Sequence, residues 1–160
     1  MSDYYGDVFI HEACAEDAEA IVAVIHEAMI RYAENSRITG TLPSMLETAE
    51  DFRKYISDDT VLIAEIGGRI AGTIRIKHVS HYEAEISRFA VLPEHQKSGL
   101  GGAVFSAAEE RIKKAKHESI YLHTSLDNKS LLNFYISRGF TVESESFSKG
   151  YRRGLLRKKP

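Results

Sequence analysis

The stretch ISRFAVLPEHQKSGLGGAVF, residues 86–105, begins with the alternation of a β-strand and ends with the spacing of an α-helix. Three of the chain's 11 glycines, Gly99, Gly101 and Gly102, fall where that helix must begin. A glycine inside a helix costs about 1 kcal/mol relative to alanine. Two reasons for the glycines are open. They relieve crowding where the strand turns into the helix, or they let the backbone approach a ligand closely. The first turn of a helix carries unpaired N–H groups and a partial positive charge, which suits a phosphate. The pattern reads Gln-x-x-Gly-x-Gly. It lacks the Gly-Lys-Ser/Thr ending of a Walker loop, and it is not Gly-x-Gly-x-x-Gly.

The flanks supply the rest of the architecture. Residues 7–12, DVFIHE, read as a short strand, and the apolar positions from Glu16 to Tyr32 recur at helical spacing. Thr48 and Asp51 form a capping-box pattern for a short helix to about Ile56. TVLIAEI, Gly67-Gly68 and RIAGTIRIKHV read as a hairpin with a glycine turn, and YEAEISRFAV as a third strand stopped by Pro93. Leu100 to about Lys116 is helical. A strand at 119–124 follows, then a helix at 128–138 ended by Gly139, then two closing strands. The order β-α-α-β-β-β-α-β-α-β-β predicts an α/β (α+β mixed) fold with a mostly antiparallel sheet. Only the strand at 85–91 and the strand at 119–124 need a parallel crossover.

Composition narrows the class. The 160 residues fit one domain spanning 1–160, with 43% hydrophobic and 28% charged residues. No apolar run approaches the roughly 20 residues that span a bilayer, and the start has no signal-peptide pattern, so the expectation is cytoplasmic with no membrane partner. Cys14 is the only cysteine and is expected to be a small buried hydrophobe. It excludes an internal disulfide and a Cys-rich zinc site, and no metal is expected. The net charge of −2 hides an asymmetry: residues 1–60 hold 13 acids and 4 bases, the remainder 10 acids and 17 bases. The closing RRGLLRKKP is basic but comes with no nucleic-acid-binding motif. It is expected to decorate an edge strand, and no nucleic-acid partner is expected.

Three motifs in order carry a resemblance. Gln96-Lys97-Ser98-Gly99-Leu100-Gly101 follows a strand ending in Ala90-Val91 and Pro93. Then come Asn128 and the helix with Phe134-Tyr135 and Gly139-Phe140. Together they resemble the GNAT N-acetyltransferase family over residues 60–140. The resemblance implies a sheet whose fourth and fifth strands splay apart around acetyl-CoA. It implies that the main chain of Phe89, Ala90 and Val91 pairs with the pantetheine arm. The segment Gln96, Lys97, Ser98, Gly99, Leu100, Gly101 and Gly102 would then hold the pyrophosphate. Asn128 matches a cofactor-contact position and equally a helix N-cap.

For chemistry, the resemblance makes Tyr135 the general acid that protonates the departing thiolate. It makes Glu85 the base that frees the amine, with Glu83 on the same strand face and His78 and His81 near in sequence. A backbone N–H such as that of Phe89 would steady the oxyanion. The acetyl group passes directly to a primary amine of a small molecule or a peptide, with no acyl-enzyme. The acids Glu34, Glu47, Glu50, Asp51, Asp58 and Asp59 favour a cationic acceptor if they line its site. Ser44 and Glu47, in LPSMLET, equally read as local helix-start residues. The rival reading is a non-catalytic acyl-CoA sensor or scaffold of the same fold, and the family's frequent dimers leave a homodimer open.

Overall fold

The computed structural model describes residues 8–160, so Asp7, expected in the first strand, lies outside the described residues. The elements are β1 (Val8–Glu12), α1 (Ala18–Ser36), α2 (Ala49–Asp58), β2 (Thr60–Ile66), β3 (Arg69–His78) and β4 (Glu83–Val91). They continue with α3 (Leu100–Lys114), β5 (Ser119–Ser125), α4 (Lys129–Ser137), β6 (Thr141–Ser146) and β7 (Arg153–Lys158). Three single 3₁₀ turns, at Ala15–Asp17, Pro43–Met45 and Pro93–His95, prepare the entries to helices or loops. The sheet order is β1-β2-β3-β4-β5-β7-β6, antiparallel throughout except for β4 and β5.

Local chemistry sets the boundaries. Gly67 and Gly68 both take positive φ, 57° and 80°, which is what a two-residue hairpin turn between β2 and β3 demands. At α2, the Thr48 hydroxyl accepts from the Asp51 N–H, and the Asp51 carboxylate accepts from the Thr48 N–H. Helix α1 runs one turn past the sequence expectation. It ends on Arg37 in the left-handed conformation, φ 57°, with no glycine to announce it. Cys14 is exposed, contrary to expectation. It sits at the N-cap of the 3₁₀ turn, where both its N–H and its thiol donate to the Asp17 carboxylate.

Strand alternation sends successive side chains to opposite faces. On one face Leu62, Ile74, Ile76, Ala84, Ile86, Ile120, Leu122 and Leu156 meet Leu100, Val104, Phe105 and Ile112 of α3, with Tyr135 of α4 and Phe140 beyond it. On the other face Val61, Ile63 and Ala90 meet Ala18, Ile21, Val24, Ile25 and Ala28 of α1 and Phe52 of α2. The far part of that second face is not apolar. It carries Glu83, Glu85, Tyr121, His123 and Arg157, all half-buried.

Candidate functional site

The parallel join between β4 and β5 is short. Glu83 pairs with Ser119, Ala84 with Ile120 and Glu85 with Tyr121; beyond these, no pairing between the two strands occurs among the described residues. β4 continues along β3 as far as Val91, and β5 continues along β7 as far as Ser125. The sheet therefore opens into a wedge, with Glu85 and Tyr121 near its apex and the Gln96–Gly102 loop at its mouth.

A cleft of about 660 Å³ occupies this wedge. Its walls are Phe89, Ala90 and Val91 of β4, then Gln96, Lys97, Gly99, Gly101 and Gly102, with Asn128, Ser130, Leu131 and Phe134 opposite. Helix α1 roofs it with Ala28, Met29, Arg31, Tyr32 and Asn35. Nine of the expected cofactor-side residues thus border one space. Ser98 and Leu100 do not: the Leu100 side chain is fully buried in the core, and the Ser98 hydroxyl donates to the His95 carbonyl.

The three glycines do different things. Gly99 is the N-cap of α3 with φ 93°, a conformation that favours glycine. A Cβ on Gly101 would make only ordinary contact with Phe89 and Val91, at 3.5 and 3.8 Å. Gly102 makes room for protein rather than ligand: a Cβ there would stand 3.2 Å from Arg138 Nη2, which donates to the Gly102 carbonyl at 2.9 Å. Arg138 also holds Ser106 and Glu109, so it fastens the end of α4 to α3. Gln96 reaches back, and its side-chain amide donates to the Val91 carbonyl at 3.0 Å, fixing the loop to the strand end. Asn128 Oδ1 caps α4 by accepting from the Leu131 N–H, while Nδ2 donates to Ser36 of α1.

One feature had no sequence signal. Between Thr73–Ala90 and Arg75–Ser87 the register slips, so β4 carries an extra residue. That bulge holds Arg88 at φ 49°, which disfavours an L residue by about 1 kcal/mol or more. The Arg88 side chain makes two hydrogen bonds to Glu47, of 2.6 and 2.8 Å, and the Tyr55 hydroxyl donates to the same carboxylate. Burial alone would push the Glu47 carboxyl up, but Arg88 and Tyr55 hold it below its usual range. The expected acidic wall is accordingly engaged within the protein: Glu47 by Arg88, Asp59 by Arg75, Glu50 by Arg53 and Asp58 by Lys54. Its charge is met internally, so it supplies no argument for a cationic acceptor.

Tyr135 and Glu85 lie behind the cleft walls rather than in them. Tyr135 is buried among Phe105, Phe134 and Phe140. Burial pushes its phenol well up, and the Tyr32 phenol adds to this. Glu85 faces the other side of the sheet, where His123 Nδ1 stands 3.7 Å from Glu85 Oε2. The imidazole holds the Glu85 carboxyl below its usual range, against the opposing effect of burial. His123 was missed in the sequence. Its signal is geometric: once Glu85 pairs with Tyr121, alternation puts His123 on the same face two residues on. Glu83 is bound to Arg157, and His78 to His117 and Thr60. Among the described residues, no cluster of His, Cys, Asp or Glu is arranged to hold a metal ion, and no helix is long and apolar enough to cross a membrane.

The family model described as "Acetyltransferase (GNAT) family" matches residues 20–140. The fold is similar to that of the PaiA N-acetyltransferase from Thermoplasma acidophilum, solved with coenzyme A. There the TM-score is 0.84 and the identity 22%, over 96% of this chain and 99% of that one. It is also similar to the ribosomal-protein-S18-alanine N-acetyltransferase from Escherichia coli, with TM-score 0.76 and 17% identity over 95% and 93%. YncA, a putative acetyltransferase from Salmonella typhimurium solved with acetyl-CoA, matches at the same TM-score, identity and coverage.

Proposed function

The chain belongs to the acetyltransferase (GNAT) family, and from that premise we propose that it passes an acetyl group from acetyl-CoA directly to a primary amine. The observation that carries the reading is the wedge itself. It presents two strand edges with unpaired backbone, and it leads to a glycine-bearing helix start. The pantetheine arm lies against Phe89–Val91 as an added strand lies against a sheet edge. The pyrophosphate rests at Lys97–Gly102, where backbone N–H groups and the α3 N-terminus favour an anion.

An alkyl amine with a pKa near 10.4 arrives protonated and must lose a proton to attack. Glu85, ionised at neutral pH, and His123 beside it form the acid–base pair on the acceptor side. The nitrogen lone pair then adds to the thioester carbon, and the Phe89 N–H at the bulge steadies the oxyanion. The C–S bond breaks with its electrons on sulfur. Tyr135 is the general acid that the family resemblance assigns. The acceptor is a small-molecule amine or a peptide amine.

The reading is tested by thermal melts with acetyl-CoA, CoA, ATP and NAD, each at about 100 times its dissociation constant. Such a ligand adds about 2.7 kcal/mol to native stability, which for a chain of this size raises Tm by about 5–10 °C. A shift with both CoA species and none with ATP or NAD is expected. No CoA shift, or a larger one with ATP or NAD, overturns the reading.

A further inference from the structure

One phenol enters the wedge, and it is not that of Tyr135. Leu126 donates its N–H to the Arg152 carbonyl, on the β7 side of its strand. Successive N–H groups along a strand point to opposite sides, so the Ser125 N–H points the other way, into the wedge. There it donates to the Tyr32 hydroxyl at 3.0 Å. One turn further along α1, Ser36 accepts from Asn128 at 3.3 Å, so two hydrogen bonds fasten the roof to the β5–α4 turn. A backbone N–H can only donate. The Tyr32 oxygen is therefore the acceptor, and its own proton remains free for another partner.

Height along the wedge is informative. Glu85 and Tyr121 are the last β4–β5 pair. Four residues on from each lie Phe89 and Ser125, which brings the bulge of β4 opposite the Tyr32–Ser125 contact. Tyr32 borders the cleft, whereas Tyr135 is enclosed by aromatic rings and does not. Resting on the acetyl-CoA reading above, we infer that Tyr32 is a catalytic residue: its phenol faces the thioester sulfur across the wedge from Phe89 and protonates the departing thiolate.

The step balances. The C–S bond breaks with its electron pair on sulfur, and the Tyr32 proton passes to sulfur to give the CoA thiol. The phenolate takes back the proton that the acceptor nitrogen gives up. The Ser125 N–H stabilises the transient phenolate, as a donor stabilises any anion it contacts. Tyr135 stands behind Tyr32 as packing and as a second, enclosed phenol.

The test uses CoA itself and desulfo-CoA, which lacks the thiol, by titration calorimetry from pH 7 to 9.5. A phenol that donates to sulfur stabilises the thiolate. The preference for CoA over desulfo-CoA then grows as the thiol ionises, by about tenfold or more for a charge-assisted hydrogen bond. Tyr32→Phe is expected to remove that growth, and Tyr135→Phe and Ser36→Ala to keep it. Ser36→Ala loosens the same fastening of α1 without removing a phenol. An unchanged preference in Tyr32→Phe overturns the inference, and so does an equal loss in Ser36→Ala. If the wild-type protein binds neither compound, the acetyl-CoA reading itself fails, which is a different result from a lost pH dependence.

Discussion

Under α3 and α4, Phe105 is fully buried and meets the rings of Phe89, Phe134, Tyr135 and Phe140 at centroid distances of 5.4–5.9 Å. On the opposite face, Glu85 and His123 stand 3.7 Å apart, both partly open to solvent. The first region is held by many dispersion contacts, each small, and its value lies in their sum. The second contributes little to packing, and each of its few groups has a separate chemical task. The same strands serve both, because alternation lets β4 and β5 hold a core with one set of residues and carry chemistry with the other.

The contrast yields graded expectations. The largest is Phe105→Ala, which leaves a cavity among four rings and should cost about 3–5 kcal/mol, read as a lowered urea midpoint with an unchanged slope. A loss under about 1 kcal/mol would mean that this face is not closely packed. Next is Glu85→Gln, expected to reduce kcat/KM about 100-fold with an amine found by screening, while stability moves by less than about 1 kcal/mol. If stability fell and turnover held, the polar face would be structural after all.

The smallest effect concerns Glu47. Its folded pKa lies below its unfolded value, so its contribution is present above the model value of 4.5 and fades as pH falls through the lower folded value. Denaturant midpoints measured from pH 6 to pH 3 should fall more steeply in the wild type than in Glu47→Gln. The difference should be about 1 kcal/mol or less, because the pair is partly exposed. Parallel curves would show that the Arg88–Glu47 pair does not hold the bulge.

Legibility in the sequence followed the range of the interaction. The Gly67-Gly68 turn, the Thr48–Asp51 capping box and the Asn128 cap are written within four residues, and each stands where the sequence placed it. The glycine loop was visible for the same reason, although Gly102 proves to accommodate Arg138. The Arg88 bulge depends on Glu47, 41 residues away, and the Tyr32–Ser125 contact joins residues 93 apart. Neither leaves a mark in its own neighbourhood. The end of α1 was missed because its left-handed closing residue is Arg37 rather than glycine.

A sheet split by a wedge has four edges instead of two. Unpaired strand edges recruit strands from other molecules, which is how aggregation through sheets begins. The two inner edges here face each other and converge on a closed apex, under the roof that Tyr32 and Ser36 fasten in place. A foreign strand needs a length of open edge and room for side chains on both of its faces, and a tapering, roofed slot denies it that room. A thin, unbranched arm needs much less. The shape that invites one guest is thus also a defence against self-association.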